Sequence, residues 1–103
     1  MSGSARPYRL SPLAERDLEA IWFYTFENWS AEQADRYHNQ IMAAIEELAG
    51  GGKQGRPIDD IRPGYRKLAV QSHFLFYCLT DAGQIDVMRI LHQRMDTAAH
   101  LPD

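Results

Sequence analysis

Apolar residues recur every three or four positions through the first half of the chain, which is the period of an amphipathic helix. Ser11 followed by Pro12 predicts a helix start, because serine caps free N–H groups and proline loses nothing at the first helical position. The apolar stripe that follows consists of Ala14, Leu18, Ile21, Trp22, Thr25 and Trp29. Its two tryptophans are expected to pack in the core or to line a hydrophobic groove for a partner. Residues 8–10 form a short strand candidate, expected at a sheet edge.

A second helix is predicted to begin at once after Ser30. Ser30 and Gln33 have the spacing of a capping box, in which the serine hydroxyl accepts the Gln33 N–H and the Gln33 side chain reaches back. The stripe of this helix is Ala34, Tyr37, Ile41, Ala44, Ile45 and Leu48. The glycine run at 50–52 ends it. Two amphipathic helices with almost no loop between them predict an antiparallel helical hairpin.

The pattern then changes to short β-favouring runs, after a Gly- and Pro-rich loop at 53–64. Strands are predicted at 65–70, 74–80 and 85–92, as an antiparallel meander whose apolar middle strand is central and covered on one side by the hairpin. The sequence thus predicts an α+β fold of order β-α-α-β-β-β, with a short N-terminal strand and a helical hairpin packed on a small antiparallel β-sheet. We expect residues 7–101 to form this single domain, after a flexible N-terminal tail at 1–6.

Composition bounds the class of protein. A chain of 103 residues with 45% hydrophobic residues is long enough for one domain with its own core. A single cysteine, Cys78, excludes an internal disulfide framework and a multi-cysteine zinc site, and it favours a reducing compartment. The start lacks the pattern of a secretory signal and no apolar run approaches a membrane span, so we expect a cytoplasmic protein that does not contact membranes.

The net charge of −3 argues against a protein that coats nucleic acid, but the charge is unevenly distributed. Residues 1–52 hold four arginines against eight acidic residues, whereas residues 53–103 hold seven basic residues against six aspartates. Five of the basic residues lie between positions 53 and 67: Lys53, Arg56, Arg62, Arg66 and Lys67. This cluster suits an acidic peptide tail or a phosphate backbone; the alternative is a solvated loop.

Candidate chemistry gathers at the end of the last strand. His92 could act as a general acid–base while Arg89 and Arg94 hold phosphate. In the alternative, His92 makes only a hydrogen bond at the sheet edge and Arg89 pairs with a carboxylate such as Asp86 or Asp96. The remaining histidines lack metal-ligand spacing, so neither a metal nor another cofactor is expected. Cys78 lies in the most apolar strand and is expected to be a buried hydrophobic residue.

Several segments carry a family resemblance in their order and spacing: Tyr8-Arg9-Leu10-Ser11-Pro12-Leu13-Ala14, Asp17-Leu18-Glu19-Ala20-Ile21-Trp22, Gly64-Tyr65-Arg66, Ser72-His73-Phe74-Leu75-Phe76-Tyr77 and Ile85-Asp86-Val87-Met88-Arg89-Ile90-Leu91-His92. They resemble the ParE branch of the RelE/ParE toxin superfamily. The resemblance implies the toxin of a type II toxin–antitoxin system, which inhibits DNA gyrase without being an enzyme. It also implies a hetero-oligomer with a ParD-like ribbon-helix-helix antitoxin, which contacts operator DNA and makes the complex autorepressing.

Two sets of site residues follow from strand-end position and from this resemblance. The gyrase-binding set is Arg89, His92, Gln93, Arg94 and Met95, and the antitoxin-binding set is Trp22, Phe26, Arg62 and Arg66. The alternative is a RelE-like endonuclease that cleaves ribosome-bound mRNA, a class that commonly carries a tyrosine near the C-terminus. Here every tyrosine precedes Cys78, which weakens that interpretation. A third alternative is a binding module that serves only to capture an antitoxin.

Overall fold

The computed structural model describes residues 7–102, so the predicted flexible tail at 1–6 lies outside the described residues. The elements in chain order are β1 (Tyr8–Leu10), α1 (Pro12–Asn28), α2 (Ala31–Gly50), β2 (Arg56–Pro57), β3 (Tyr65–Val70), β4 (His73–Leu79), β5 (Ile85–His92) and α3 (Thr97–His100). The predicted helical hairpin and three long strands are confirmed. The two-residue β2 and the single-turn α3 are additions, too short to produce a periodic pattern in the sequence.

The five strands form one sheet in the order β1-β5-β4-β3-β2. β2 to β5 run antiparallel, but β1 pairs with β5 in parallel, with Tyr8 opposite Ile85. The sheet is therefore mixed, which corrects the prediction of an antiparallel sheet, while the predicted edge position of β1 is confirmed. Parallel pairing needs a crossover connection, and the helical hairpin between β1 and the other strands is part of it.

Side-chain caps explain where the two long helices begin. The Ser11 hydroxyl accepts the Ala14 N–H at 3.0 Å and donates to the Met88 carbonyl at 2.8 Å, which ties the start of α1 to β5. At α2 the Ser30 hydroxyl accepts the Gln33 N–H at 3.0 Å, as predicted. The return contact of the capping box is replaced, because the Gln33 side-chain oxygen accepts from Arg36.

Hydrophobic residues are buried on both faces of the sheet. The hairpin covers one face, with Ala14, Leu18, Ile41, Ile45, Leu75, Tyr77, Ile85, Val87 and Ile90 among its buried residues. The second face carries a smaller buried cluster of Ile58, Tyr65, Phe76, Leu91 and Leu101, which we call the second cluster. Of the two positions expected for Trp29, the core is wrong, because Trp29 caps α1 with non-helical backbone angles and 68% of its surface is exposed. Its side chain instead lines the groove described below.

A β-bulge interrupts the pairing of β4 with β5. Phe76 lies opposite Arg89 and Tyr77 lies opposite Val87, so Met88 is an extra residue on β5. The bulge shifts the alternation of side chains, and Val87 and Ile90 both reach the core under the helices. As a result His92, two residues beyond Ile90, also lies on the side of the hairpin.

Candidate functional site

A groove of about 680 Å³ opens between the hairpin and the end of β5. α1, α2, the β3–β4 turn and the chain just after β5 contribute its walls. Half of its lining side chains are aromatic, amide or imidazole groups: Tyr24, Trp29, Gln33, Tyr37, Gln40, Gln71, His73 and His92. Two of the predicted gyrase-binding residues, His92 and Met95, line this groove.

Behind the groove, Arg89 forms a two-point ion pair with Asp17. The Arg89 Nε and Nη2 atoms donate to the two Asp17 oxygens at 2.7 and 2.9 Å, and both side chains are about 15% exposed. The hydrogen bonds that Arg89 donates to Asp17 raise the pKa of Arg89, against the opposing effect of burial. The expected partner carboxylates were wrong, because the partner is Asp17 and Asp86 binds Arg9 at 2.8 Å instead.

Asp17 also provides a hydrogen-bond acceptor for the part of the β5 edge that β1 does not cover. β1 ends at Leu10, and its ladder continues only to the Ser11 N–H, which donates to the Val87 carbonyl at 2.9 Å. Beyond that point the Ile90 N–H donates to the Asp17 carboxylate at 3.0 Å, so a side chain replaces the missing strand. Sequence reasoning missed this role, and the available signal was the place of Asp17 in one of the family-like segments.

A tyrosine and two histidines meet on the floor of the groove. The Tyr37 hydroxyl lies 2.6 Å from His73 Nδ1 and accepts the Ser72 N–H at 3.2 Å. Burial lowers the pKa of His73 to about 4, with a further contribution from His92, whose ring centroid is 5.2 Å away. His73 is thus neutral near pH 7 and is hydrogen-bonded through Nδ1 to the Tyr37 hydroxyl, which also lies 3.4 Å from the Val70 carbonyl oxygen. His92 Nδ1 accepts the Arg94 backbone N–H at 3.1 Å.

The residues after β5 form a loop, 93–96, that we call the presented loop. Gln93 fixes its start: the backbone N–H donates to the Ser72 carbonyl at 2.9 Å and the side-chain amide to the Gln71 carbonyl at 2.8 Å. Arg94 and Met95 are exposed. Of the predicted gyrase-binding set, this loop therefore carries three exposed residues, of which Gln93 is engaged in hydrogen bonds to the β3–β4 turn, whereas Arg89 lies behind them in its ion pair.

The predicted antitoxin-binding set is divided between separate regions. Trp22 and Phe26 stack with ring centroids 5.3 Å apart, and with the exposed Phe23 they form the aromatic ridge of α1. The Trp22 indole N–H donates to Asp35 on α2 at 2.9 Å. A shallow second groove of about 530 Å³ follows this ridge, and its rim includes Glu15 and Glu19.

The two arginines of that set lie away from the ridge. Arg62 donates to the carbonyl oxygens of Ala98 and Leu101, next to the second cluster on the opposite face of the sheet. Arg66 donates from β3 to the Gly55 carbonyl at 3.1 Å. The structure therefore brings Trp22 and Phe26 together but gives both arginines contacts within the chain.

Comparison with known proteins identifies the family. Residues 8–97, most of the chain, match the family described as "ParE toxin of type II toxin-antitoxin system, parDE". The chain belongs to the ParE toxin family. It is similar to Toxin ParE1 of Mycobacterium tuberculosis strain H37Rv, with 49% identity over 91% of this chain and 96% of that protein. Toxin ParE1 of Caulobacter vibrioides is 41% identical over 93% of this chain and 98% of its own length.

A solved structure supports the ParE fold independently. The "Chromosomal ParDE TA system from P. aeruginosa" superimposes with a TM-score of 0.74 at 20% identity, covering 87% of this chain and 98% of that chain. Across residues 7–102, this ParE family member has no helix long and apolar enough to cross a membrane. The same residues hold no group of three or more His, Cys, Asp or Glu arranged as metal ligands.

Proposed function

We propose that this ParE family toxin arrests growth in the cytoplasm by binding DNA gyrase, and that a ParD-like antitoxin neutralises it. The observation that carries the proposal is the 49% identity to a protein named Toxin ParE1 over 91% of the chain. The gyrase target comes from the resemblance to ParE toxins. The antitoxin partner is also supported by the structural likeness to a ParDE system.

The proposed gyrase-binding surface is the presented loop with the adjoining end of the groove. Met95 is 40% exposed and Arg94 is exposed beside it, while His92 lines the groove below them. An exposed thioether next to a guanidinium offers one apolar and one charged contact to a protein partner. The toxin in this proposal acts by binding and not by catalysis.

The proposed antitoxin surface is the aromatic ridge of α1 together with the groove beside it. Phe23 and Phe26 are 55% and 46% exposed, which is unusual for phenylalanines that have no partner to cover them. An amphipathic antitoxin segment would bury these rings as anchors. Arg66 remains a proposed contact for an acidic part of the same segment, whereas the role of Arg62 is taken up in the further inference. The ribbon-helix-helix part of the antitoxin would bind operator DNA, and the hetero-oligomer would repress its own operon.

The hydrogen bonding of Arg89 and His92 favours binding over RelE-like mRNA cleavage. Metal-free RNA cleavage needs a cation for the phosphate and a group free to transfer protons. All three nitrogens of the Arg89 guanidinium already donate, two to Asp17 and Nη1 to the His100 carbonyl at 2.8 Å. One ring nitrogen of His92 is likewise engaged, as the acceptor of the Arg94 N–H.

The test is to express the toxin without its antitoxin and to follow growth, plasmid supercoiling and mRNA 5′ ends together. We expect growth arrest with loss of negative supercoiling and intact mRNA. An Arg94→Ala/Met95→Ala variant should be harmless yet still bind antitoxin, and a Phe23→Ala/Phe26→Ala variant should stay toxic but escape neutralisation. Codon-positioned mRNA cuts that disappear with His92→Ala, while supercoiling is unchanged, would reject the proposal in favour of the endonuclease.

A further inference from the structure

Side chains from three elements converge on the backbone of the C-terminal segment, residues 97–102. Arg62 lies in the loop before β3, Tyr65 at the start of β3, and Arg89 on β5. Arg62 Nη2 makes bonds of 3.0 and 3.1 Å, Arg89 Nη1 one of 2.8 Å, and the Tyr65 hydroxyl one of 3.0 Å. The acceptors are four backbone carbonyl oxygens, those of Ala98, Leu101, His100 and Pro102. We call this arrangement the carbonyl clamp.

The C-terminal segment has little internal structure to keep it in place. α3 is a single turn of four residues, closed by the Leu101 N–H donating to the Thr97 carbonyl at 3.2 Å. A helix this short is not stable alone, and its terminal carbonyls need hydrogen-bond donors from outside the helix. The clamp supplies those donors, and the Leu101 side chain is buried in the second cluster. The position of the segment therefore depends on these contacts with the rest of the fold.

The segment in turn fixes the far end of the presented loop. Gln93 holds the start of that loop, as described above, and α3 begins directly after Asp96. Releasing α3 would leave Arg94 and Met95 tethered at one end only. An ordered loop binds a partner more tightly than a mobile one because less conformational entropy is lost on binding.

We propose that Arg62 and Arg89 are positioning residues, which act on the target through the carbonyl clamp and the presented loop and do not contact target or antitoxin directly. This inference rests on the proposed function, since it concerns how the target-binding loop is held. It revises the sequence-based assignment of Arg89 to gyrase binding and of Arg62 to antitoxin binding. Both side chains are only partly exposed, and their donors point to groups of the toxin itself.

The decisive variants are Arg62→Met, which keeps the length of the side chain but removes its donors, and Arg62→Lys, which keeps a charged donor. Arg16→Met, an exposed arginine on α1, is the matched control. Three quantities are measured on the full chain: amide exchange at Leu101, growth arrest at matched expression, and affinity for the proposed ParD-like antitoxin. Growth arrest is the activity readout, so the result does not depend on which target the toxin has.

For Arg62→Met we expect exchange of the Leu101 amide to accelerate about tenfold. The hydrogen bonds from the charged Arg62 stabilise the closed segment against local opening, and their loss should raise the population of the open form by about that factor. Growth arrest should weaken in parallel, antitoxin affinity should change less than twofold, and Arg62→Lys should restore both affected quantities. Undiminished toxicity with a freed segment would overturn the inference. So would lost toxicity with normal exchange, or a large loss of antitoxin affinity, since either would indicate direct contact. A toxic wild type that leaves supercoiling unchanged would refute the gyrase target alone.

Discussion

Removing the Asp17 carboxylate should destabilise the fold more than any other single change on the surface of α1. Asp17 accepts three hydrogen bonds, two from the Arg89 guanidinium and one from the Ile90 N–H. In Asp17→Ala these donors lose their acceptor together. The Arg89 charge, 16% exposed, would then lack a counter-ion.

The expected loss follows from that geometry. Removing one partner of a buried ion pair costs about 3 kcal/mol or more, because the other charge is left uncompensated. The unpaired Ile90 N–H adds about 1 kcal/mol. The free energy of unfolding should therefore fall by about 4 kcal/mol or more, and the melting temperature by roughly 16 °C or more for a domain of this size.

Urea unfolding of the purified toxin, followed by circular dichroism, measures this change. Arg9→Ala is the matched control, because the Arg9–Asp86 pair joins neighbouring strands at a similar 2.8 Å but Arg9 is 71% exposed. Its loss should cost less than about 1 kcal/mol. The double variant Asp17→Ala/Arg89→Met should recover about 2 kcal/mol relative to the two single variants added together. A loss below about 1 kcal/mol in Asp17→Ala, or strict additivity in the double variant, would refute the reasoning.

Three further predictions concern other contacts. Because folding lowers the pKa of His73 from 6.5 to about 4, the unfolded chain binds a proton first, and stability should fall as pH drops from 6.5 to 4. The partial exposure of the ring to solvent limits this loss to about 1–2 kcal/mol, and His73→Phe should remove that part of the pH dependence of urea midpoints. Gly55→Ala should cost about 1–3 kcal/mol, because its Cβ would lie 2.7 Å from the Tyr77 hydroxyl. Ser11→Ala should cost about 1–2 kcal/mol in thermal unfolding, since it removes a helix cap and the bond to Met88.

Each of these has an outcome that would contradict it. An unchanged urea midpoint between pH 7 and 4.5 would show that His73 is not held neutral by the fold. Gly55→Ala is compared with Gly50→Ala, where no atom lies within 4 Å of the new Cβ and no loss is expected. Equal stability of the two alanine variants would contradict the packing at Gly55. A Ser11→Ala toxin as stable as wild type would mean that the α1 cap contributes nothing.

Most of the fold was predictable because its helices and long strands follow from sequence patterns that repeat over a few residues. The caps at Ser11 and Ser30 and the apolar stripe of α2 each depend on residues within a few positions of one another. The direction of β1 was not predictable in this way, since parallel or antiparallel pairing depends on where the hairpin returns the chain. β2 was missed because two residues pairing with β3 leave no alternation to detect.

The candidate site was only partly predictable because its key contacts join residues far apart in sequence. Asp17 and Arg89 are 72 positions apart, and Tyr37 and His73 are 36 positions apart. The alternation of side chains along a strand does not reveal the bulge at Met88, yet this bulge determines that His92 lies beside the groove. Their position at the end of a strand did predict the region of the site correctly. His92, Arg94 and Met95 lie at one end of the groove or in the loop beside it.

The central claim is that this ParE family toxin acts by binding gyrase through the presented loop. The most direct test is a supercoiling assay with purified gyrase, in which the toxin is titrated alone, as the Arg94→Ala/Met95→Ala variant, and with its antitoxin. The account predicts that the wild-type toxin inhibits supercoiling, that the variant does not, and that stoichiometric antitoxin restores activity. Full gyrase activity in the presence of a toxin that still arrests growth would contradict it.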